Sequence, residues 1–118
     1  MESVPNCCCV HLDQIRPQDN VVVEEHDRKL PFAKRSVVCE DCIREDGSHA
    51  MWLHLRQCQI CGHIGCCDSS PRKHATAHFH TSRHPIVKSV EPGESWGWCY
   101  LDQMELEFTP LPVTIIQP

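Results

Sequence analysis

Two cysteine pairs, Cys39-Glu40-Asp41-Cys42 and Cys58-Gln59-Ile60-Cys61, carry the C-x-x-C interval. That interval lets both sulfurs of a tight turn face one tetrahedral zinc at about 2.3 Å. Further donors follow: Cys66, Cys67, His74, His78, His84 and Cys99. His74 and His78 are four apart, so on a helix both imidazoles project from one face and can feed two neighbouring metals. His78 and His84 are six apart and can meet at one metal only if the chain leaves the helix first; Pro85 provides that exit.

Ten cysteines and nine histidines in 118 residues leave bridges, metal sites and catalytic thiols in competition. Met1-Glu2-Ser3-Val4-Pro5-Asn6 has no basic stretch leading into an apolar one, so the expected compartment is cytoplasmic and no membrane span is expected. Thiols stay reduced there, which favours metal over disulfides. A thioredoxin-like use of C-x-x-C needs a βαβ frame, and none is legible. Metal-assisted hydrolysis needs an open coordination position and a general base, as in H-E-x-x-H. The sequence reads His74-Ala75-Thr76-Ala77-His78 instead, so a non-catalytic role is expected. A formal charge of −5 argues against a nucleic-acid partner, and C2H2 spacing is absent.

The elements that must position these donors read as α+β. A helix is expected from Pro71, a favoured first helical residue, to Ser82 or Arg83, because the residue before Pro85 avoids helical geometry. Met51–Leu55, Pro85–Val90 and Ser95–Leu101 read as strands, with Glu91-Pro92-Gly93-Glu94 as the turn between the last two. Val21-Val22-Val23 is a candidate short strand, and Glu24–Lys29 reads as a solvated charge run. The expected organisation is one domain over residues 1–118, with its core in 9–102, part of 12–38 in loops, and an extended tail over 109–118.

The ordered set Cys9-Val10-His11, Cys39/Cys42, Trp52, Cys58/Cys61, Gly65-Cys66, His74/His78/His84-Pro85 and Trp98-Cys99-Tyr100 resembles the UBP-type zinc finger of ubiquitin-specific proteases and one histone deacetylase. Gly-Cys-Cys-Asp-Ser-Ser and Glu-Pro-Gly-Glu are similar to its small stand-alone bacterial branch. The resemblance implies a small antiparallel sheet with one main helix, cross-braced by structural zinc. One Zn2+ would lie on Cys39, Cys42, Cys66 and His74, with Cys67 competing for the place of Cys66. A second would lie on Cys58, Cys61, His78 and His84. A third would lie on Cys9, His11, Cys99 and Asp102, where Asp102 stands in place of the family's cysteine. Cys7, Cys8, His26, His49, His54, His63 and His80 are read as non-ligands.

The resemblance also implies a pocket that clasps the C-terminal Gly-Gly of ubiquitin between aromatic rings, here Trp52, Trp98 and Tyr100. The family's pocket arginine is absent: Asp68 occupies its place, with Arg72 or Lys73 at the helix start as the candidate compensating cation. The expected function is a monomeric module binding a protein or peptide tail, neutral or basic rather than acidic. The alternatives are a nucleic-acid-binding finger or an accessory subunit of a redox or hydrolytic enzyme.

Overall fold

A computed structural model of the chain describes residues 10–18 and 21–108. Helices α1 (Glu25–Arg28) and α2 (Glu40–Asp46) precede strands β1 (Leu55–Cys58) and β2 (Ile64–Cys66). Helix α3 (His74–Ser82) and strands β3 (Ile86–Ser89), β4 (Trp96–Cys99) and β5 (Met104–Glu107) complete the order. The five strands form one antiparallel sheet ordered β2-β1-β3-β4-β5. This is a small α+β fold.

Because strand side chains alternate between faces, Ile86, Cys99 and Leu106 share one face and form a buried cluster with Leu12, Ile15, Ile60, Met104 and Phe108. Val87, Trp98 and Glu105 are mutual partners in the register and share the other face. A second core joins Val23, Trp52, Leu55 and Val90 to the thiols of Cys39, Cys42 and Cys66.

Several boundaries differ from the sequence reading. Met51–His54 lies outside any strand and β1 starts at Leu55; Met51, Leu53 and His54 are exposed while Trp52 turns inward. Pro71 does not open α3, which starts at His74 after Lys73 in the left-handed region, φ 50°. The helix does end where expected. Arg83 caps it at φ 66° and donates its backbone N–H to the Phe79 carbonyl at 2.7 Å, leaving His84 outside the helix.

Val21–Val23 forms no strand, although the Val23 N–H donates to the Val90 carbonyl at 2.8 Å. The charge run Glu24–Lys29 is not merely solvated. It forms α1, with Asp27 buried and accepting the backbone N–H groups of Ser36, at 2.8 and 3.0 Å, and of Val37, at 3.3 Å. These bonds, the Ser36 N–H first, hold the Asp27 carboxyl below its ordinary range. Arg28 next door pairs with Glu91, whose other oxygen accepts the Leu55 N–H at 2.9 Å. The N-terminal segment is thereby tied to the end of the β1–β3 pair where β1 begins and β3 finishes. No helix among the described residues is long and apolar enough to cross a membrane. Cys7, Cys8, Cys9 and the tail 109–118 lie outside the described residues.

Candidate metal centres and an aromatic groove

Three turns of the same local design each present a sulfur with a backbone N–H aimed at it. Cys39 caps α2 and its Sγ accepts the Cys42 N–H at 3.4 Å. Cys58 ends β1, and its Sγ accepts the Ile60 N–H at 3.4 Å within the β1–β2 hairpin. Gly62, φ 86°, closes that hairpin. Cys99 ends β4, and its Sγ accepts the Asp102 N–H at 3.4 Å. The Cys99-x-x-Asp102 turn thus repeats the geometry of the two C-x-x-C turns.

Each turn is completed by donors from distant elements. Cys39, Cys42, Cys66 and His74 converge in a fully buried group. His74 Nδ1 stands 3.3 Å from Cys39 Sγ, 3.3 Å from Cys42 Sγ and 3.5 Å from Cys66 Sγ; Cys42 and Cys66 sulfurs are 3.9 Å apart. A tetrahedral zinc with ordinary Zn–S and Zn–N bonds would have N···S edges of about 3.5 Å and S···S edges of about 3.8 Å. The donor set and its spacing fit the ion. Cys67 takes no part: its Sγ lies 3.6 Å from Ser70 Oγ.

Cys58, Cys61, His78 and His84 form a second group, more exposed than the first. Here Cys58 Sγ is 3.6 Å from His84 Nδ1 and Cys61 Sγ 3.3 Å from His78 Nε2. His11, Cys99 and Asp102 form a third, with Nδ1 to Oδ2 at 3.0 Å, Sγ to Nδ1 at 3.6 Å and Sγ to Oδ2 at 3.6 Å.

Gly65 explains how the first group closes. A Cβ there would stand 2.7 Å from the Ala75 backbone nitrogen, so only glycine lets β2 approach the start of α3 closely enough for Cys66 to meet His74. Helix α2 then orients the histidines from outside. Its Glu45 carboxylate contacts His74 Nε2 at 3.1 Å and its Asp41 contacts His63 Nε2 at 3.0 Å. The His63 ring lies parallel to that of His78, centroids 4.2 Å apart. A carboxylate on the far nitrogen of a liganding imidazole fixes tautomer and ring orientation. His63, read from the sequence as a bystander, is therefore a neighbour of the second group; Asp41 and Glu45 carried no signal of their own.

Crowding sets the protonation of the thiols. The hydrogen bond from Cys39 lowers the Cys66 pKa, and the same contact raises that of Cys39. Burial is the main cause that raises the Cys42 and Cys58 thiols. Burial lowers the pKa of His78, with His63 adding to it. A His78 imidazole biased toward its neutral form and one favoured thiolate suit a cation that must displace the remaining thiol protons.

On one face of the sheet lies a groove of about 300 Å3 lined by Val87, Trp96, Trp98, Tyr100 and Cys67, with Arg56, Asp68 and Glu105 as its charges. The Arg56 guanidinium sits over the Trp96 ring, 4.4 Å from its centroid. Tyr100 stacks on Phe79 at 4.8 Å, and burial raises its pKa. The Thr76 hydroxyl donates to Asp68 Oδ1 at 2.6 Å and stands 3.4 Å from the Tyr100 hydroxyl.

Two expected members are elsewhere. Trp52 is buried edge-on against Phe32 at 4.7 Å, because β1 begins at Leu55, four residues later than the alternation implied. Arg72 pairs with Glu45 at 2.9 Å and Asp46 at 3.1 Å on α2, so it cannot serve as the groove's cation. Arg56 and Trp96 stand in the groove instead.

Residues 39–111 match the zinc finger found in ubiquitin hydrolases and other proteins. The chain belongs to this family. Among its relatives, ubiquitin carboxyl-terminal hydrolase 16 of Rattus norvegicus is 31% identical over 85 residues, which is 60% of this chain and 9% of that protein. The chain therefore spans less than a tenth of that relative. The solution NMR structure of protein RPA1320 from Rhodopseudomonas palustris is 40% identical, with a TM-score of 0.60, over 85% of this chain and 81% of that one. Family membership together with three Cys/His-rich donor groups points to zinc binding by this UBP-type finger.

Proposed function

We propose that this UBP-type finger is a non-catalytic module that binds an extended protein or peptide tail along the Trp96, Trp98 and Tyr100 groove, with zinc as its structural cement. In this reading the first zinc is held by Cys39, Cys42, Cys66 and His74, the second by Cys58, Cys61, His78 and His84, and the third by His11, Cys99 and Asp102 with Cys9. Bound there, zinc supplies rigidity rather than a reactive water, because four protein donors leave no open position. The observation that carries the tail-binding role is the groove itself: three half-buried aromatic side chains, Trp96 and Trp98 on one sheet face and Tyr100 just past the end of β4, beside charged groups.

Ubiquitin is expected to bind weakly. Where the resemblance implies a cation facing the ligand's terminal carboxylate, Asp68 places an anion, and unpaired like charge in a partly desolvated groove costs affinity. NMR titration of the zinc-loaded chain with extended peptides tests the reading: shifts should centre on Trp96, Trp98 and Tyr100 and vanish in Trp98→Ala. Shifts centred on any other surface would overturn it. A micromolar dissociation constant for ubiquitin, lost in Trp98→Ala, would show instead that the family's ligand carries over despite Asp68.

A further inference from the structure

The charges of the groove are not distributed evenly along it, and their placement selects the chemistry of an occupant. Arg56 lies at one end with its guanidinium against Trp96, so that ring face is already covered. Asp68 lies at the α3 side, held by the Thr76 hydroxyl through Oδ1. Glu105 is the direct cross-strand partner of Trp98, exposed and without an ion-pair partner among the described residues. Directly paired residues place their Cβ atoms about 5 Å apart, so a group over the Trp98 ring is within reach of the Glu105 carboxylate. Val87, the partner of Trp98 on its other side, adds an aliphatic wall.

Resting on the tail-binding reading above, we propose that the groove holds the basic side chain of an extended peptide, with its alkyl stem on Val87 and Trp98 and its charged head between Asp68 and Glu105. Long basic side chains bury their methylenes on apolar surface while the head stays polar. An aromatic face attracts a cation through the ring quadrupole. The lining carries one cation and two anions, a local sum of −1, and the cation is the group already occupied by a ring. A ligand carboxylate would meet Asp68 and Glu105 unpaired, and an apolar side chain would leave both carboxylates beside it partly desolvated. A peptide N-terminal amine has the charge but no stem to fill the Val87 and Trp98 wall.

The test is an NMR titration of the zinc-loaded chain with four short peptides: a capped Gly-Lys-Gly, the same peptide acetylated on its lysine, Gly-Gly-Gly with a free carboxylate and blocked amine, and Gly-Gly-Gly with a free amine and blocked carboxylate. The lysine peptide should bind tightest, losing about tenfold on acetylation and about threefold in Glu105→Gln, with the difference shrinking as salt rises. Glu105 is exposed on the edge strand β5 and belongs to none of the donor groups, although Cys99 and Asp102 are close by, so retained zinc content and a native spectrum are required of Glu105→Gln; Asp68→Asn serves as the second variant. Equal binding of the lysine and acetyl-lysine peptides overturns the inference and leaves the tail reading standing. So does tightest binding by the free carboxylate lost in Arg56→Gln, or by the free amine. If no peptide moves groove resonances, both readings fall.

Discussion

Glu45 is the residue whose change separates packing from metal affinity. It is exposed on α2, yet its carboxylate touches the far nitrogen of His74 and holds Arg72. Glu45→Ala should leave the fold intact and weaken the first zinc by about 10- to 100-fold, the usual cost of losing an outer carboxylate partner. Competition against a chromogenic chelator measures this, and unchanged affinity would remove the orienting role. Asp27 makes a different prediction. Its folded-state pKa lies below its unfolded value of about 3.9, so the stability it contributes is complete above that value and is lost as pH falls through the folded one. Asp27→Ala should cost about 2 kcal/mol near neutrality, the scale of hydrogen bonds to a charged group. Most of that difference should disappear in acid if the comparison is made by denaturation at fixed free zinc. At this scale the sequence points to the cysteines and histidines that the fold gathers into clusters, but not to their neighbours. Sulfur and imidazole announce themselves by type and spacing, whereas Glu45, Asp41 and Arg56 look like any surface charge until the fold sets them against His74, His63 and Trp96.

The elements are short, and their shortness is why several escaped reading. Strand β2 is three residues with a glycine at its centre, too brief to show alternation, and α2 is capped by a thiol rather than by serine or aspartate. Helix α3 and strands β3 and β4 were legible to within a few residues, because Pro85 and the Glu91–Glu94 turn punctuate the chain there. Trp52 was misplaced because β1 starts at Leu55, and Trp96 was overlooked because its role depends on pairing between strands that sequence alone does not register. Gly65 is the sharpest test at this scale. Gly65→Ala should push β2 away from α3, separating Cys66 from His74. The expected result is loss of one zinc with disturbed folding, by elemental analysis and circular dichroism; full zinc retention would show that the approach can relax.

For the whole molecule, metal and fold should be one equilibrium. A chain of this size has little core to spare, and one of its two cores is built partly from the thiols of the first donor group. Chelation should therefore unfold it cooperatively, with structural zinc worth on the order of 10 kcal/mol in such domains. Acid should release the metal as protons compete for thiolate and imidazole. Elemental analysis should give close to three zinc ions per chain; fewer than two would sink the cross-braced assignment. The His11, Cys99 and Asp102 group has a consequence for how the chain gets there. His11 and Cys99 are 88 positions apart, whereas the donors of the first group span 35 and those of the second 26. The entropy of loop closure grows with the logarithm of the enclosed length, so the two inner groups can form early on local contacts. The third would then be a late clasp closing a ring of most of the chain, and a metal bound there would be expected to act chiefly by shrinking the unfolded ensemble.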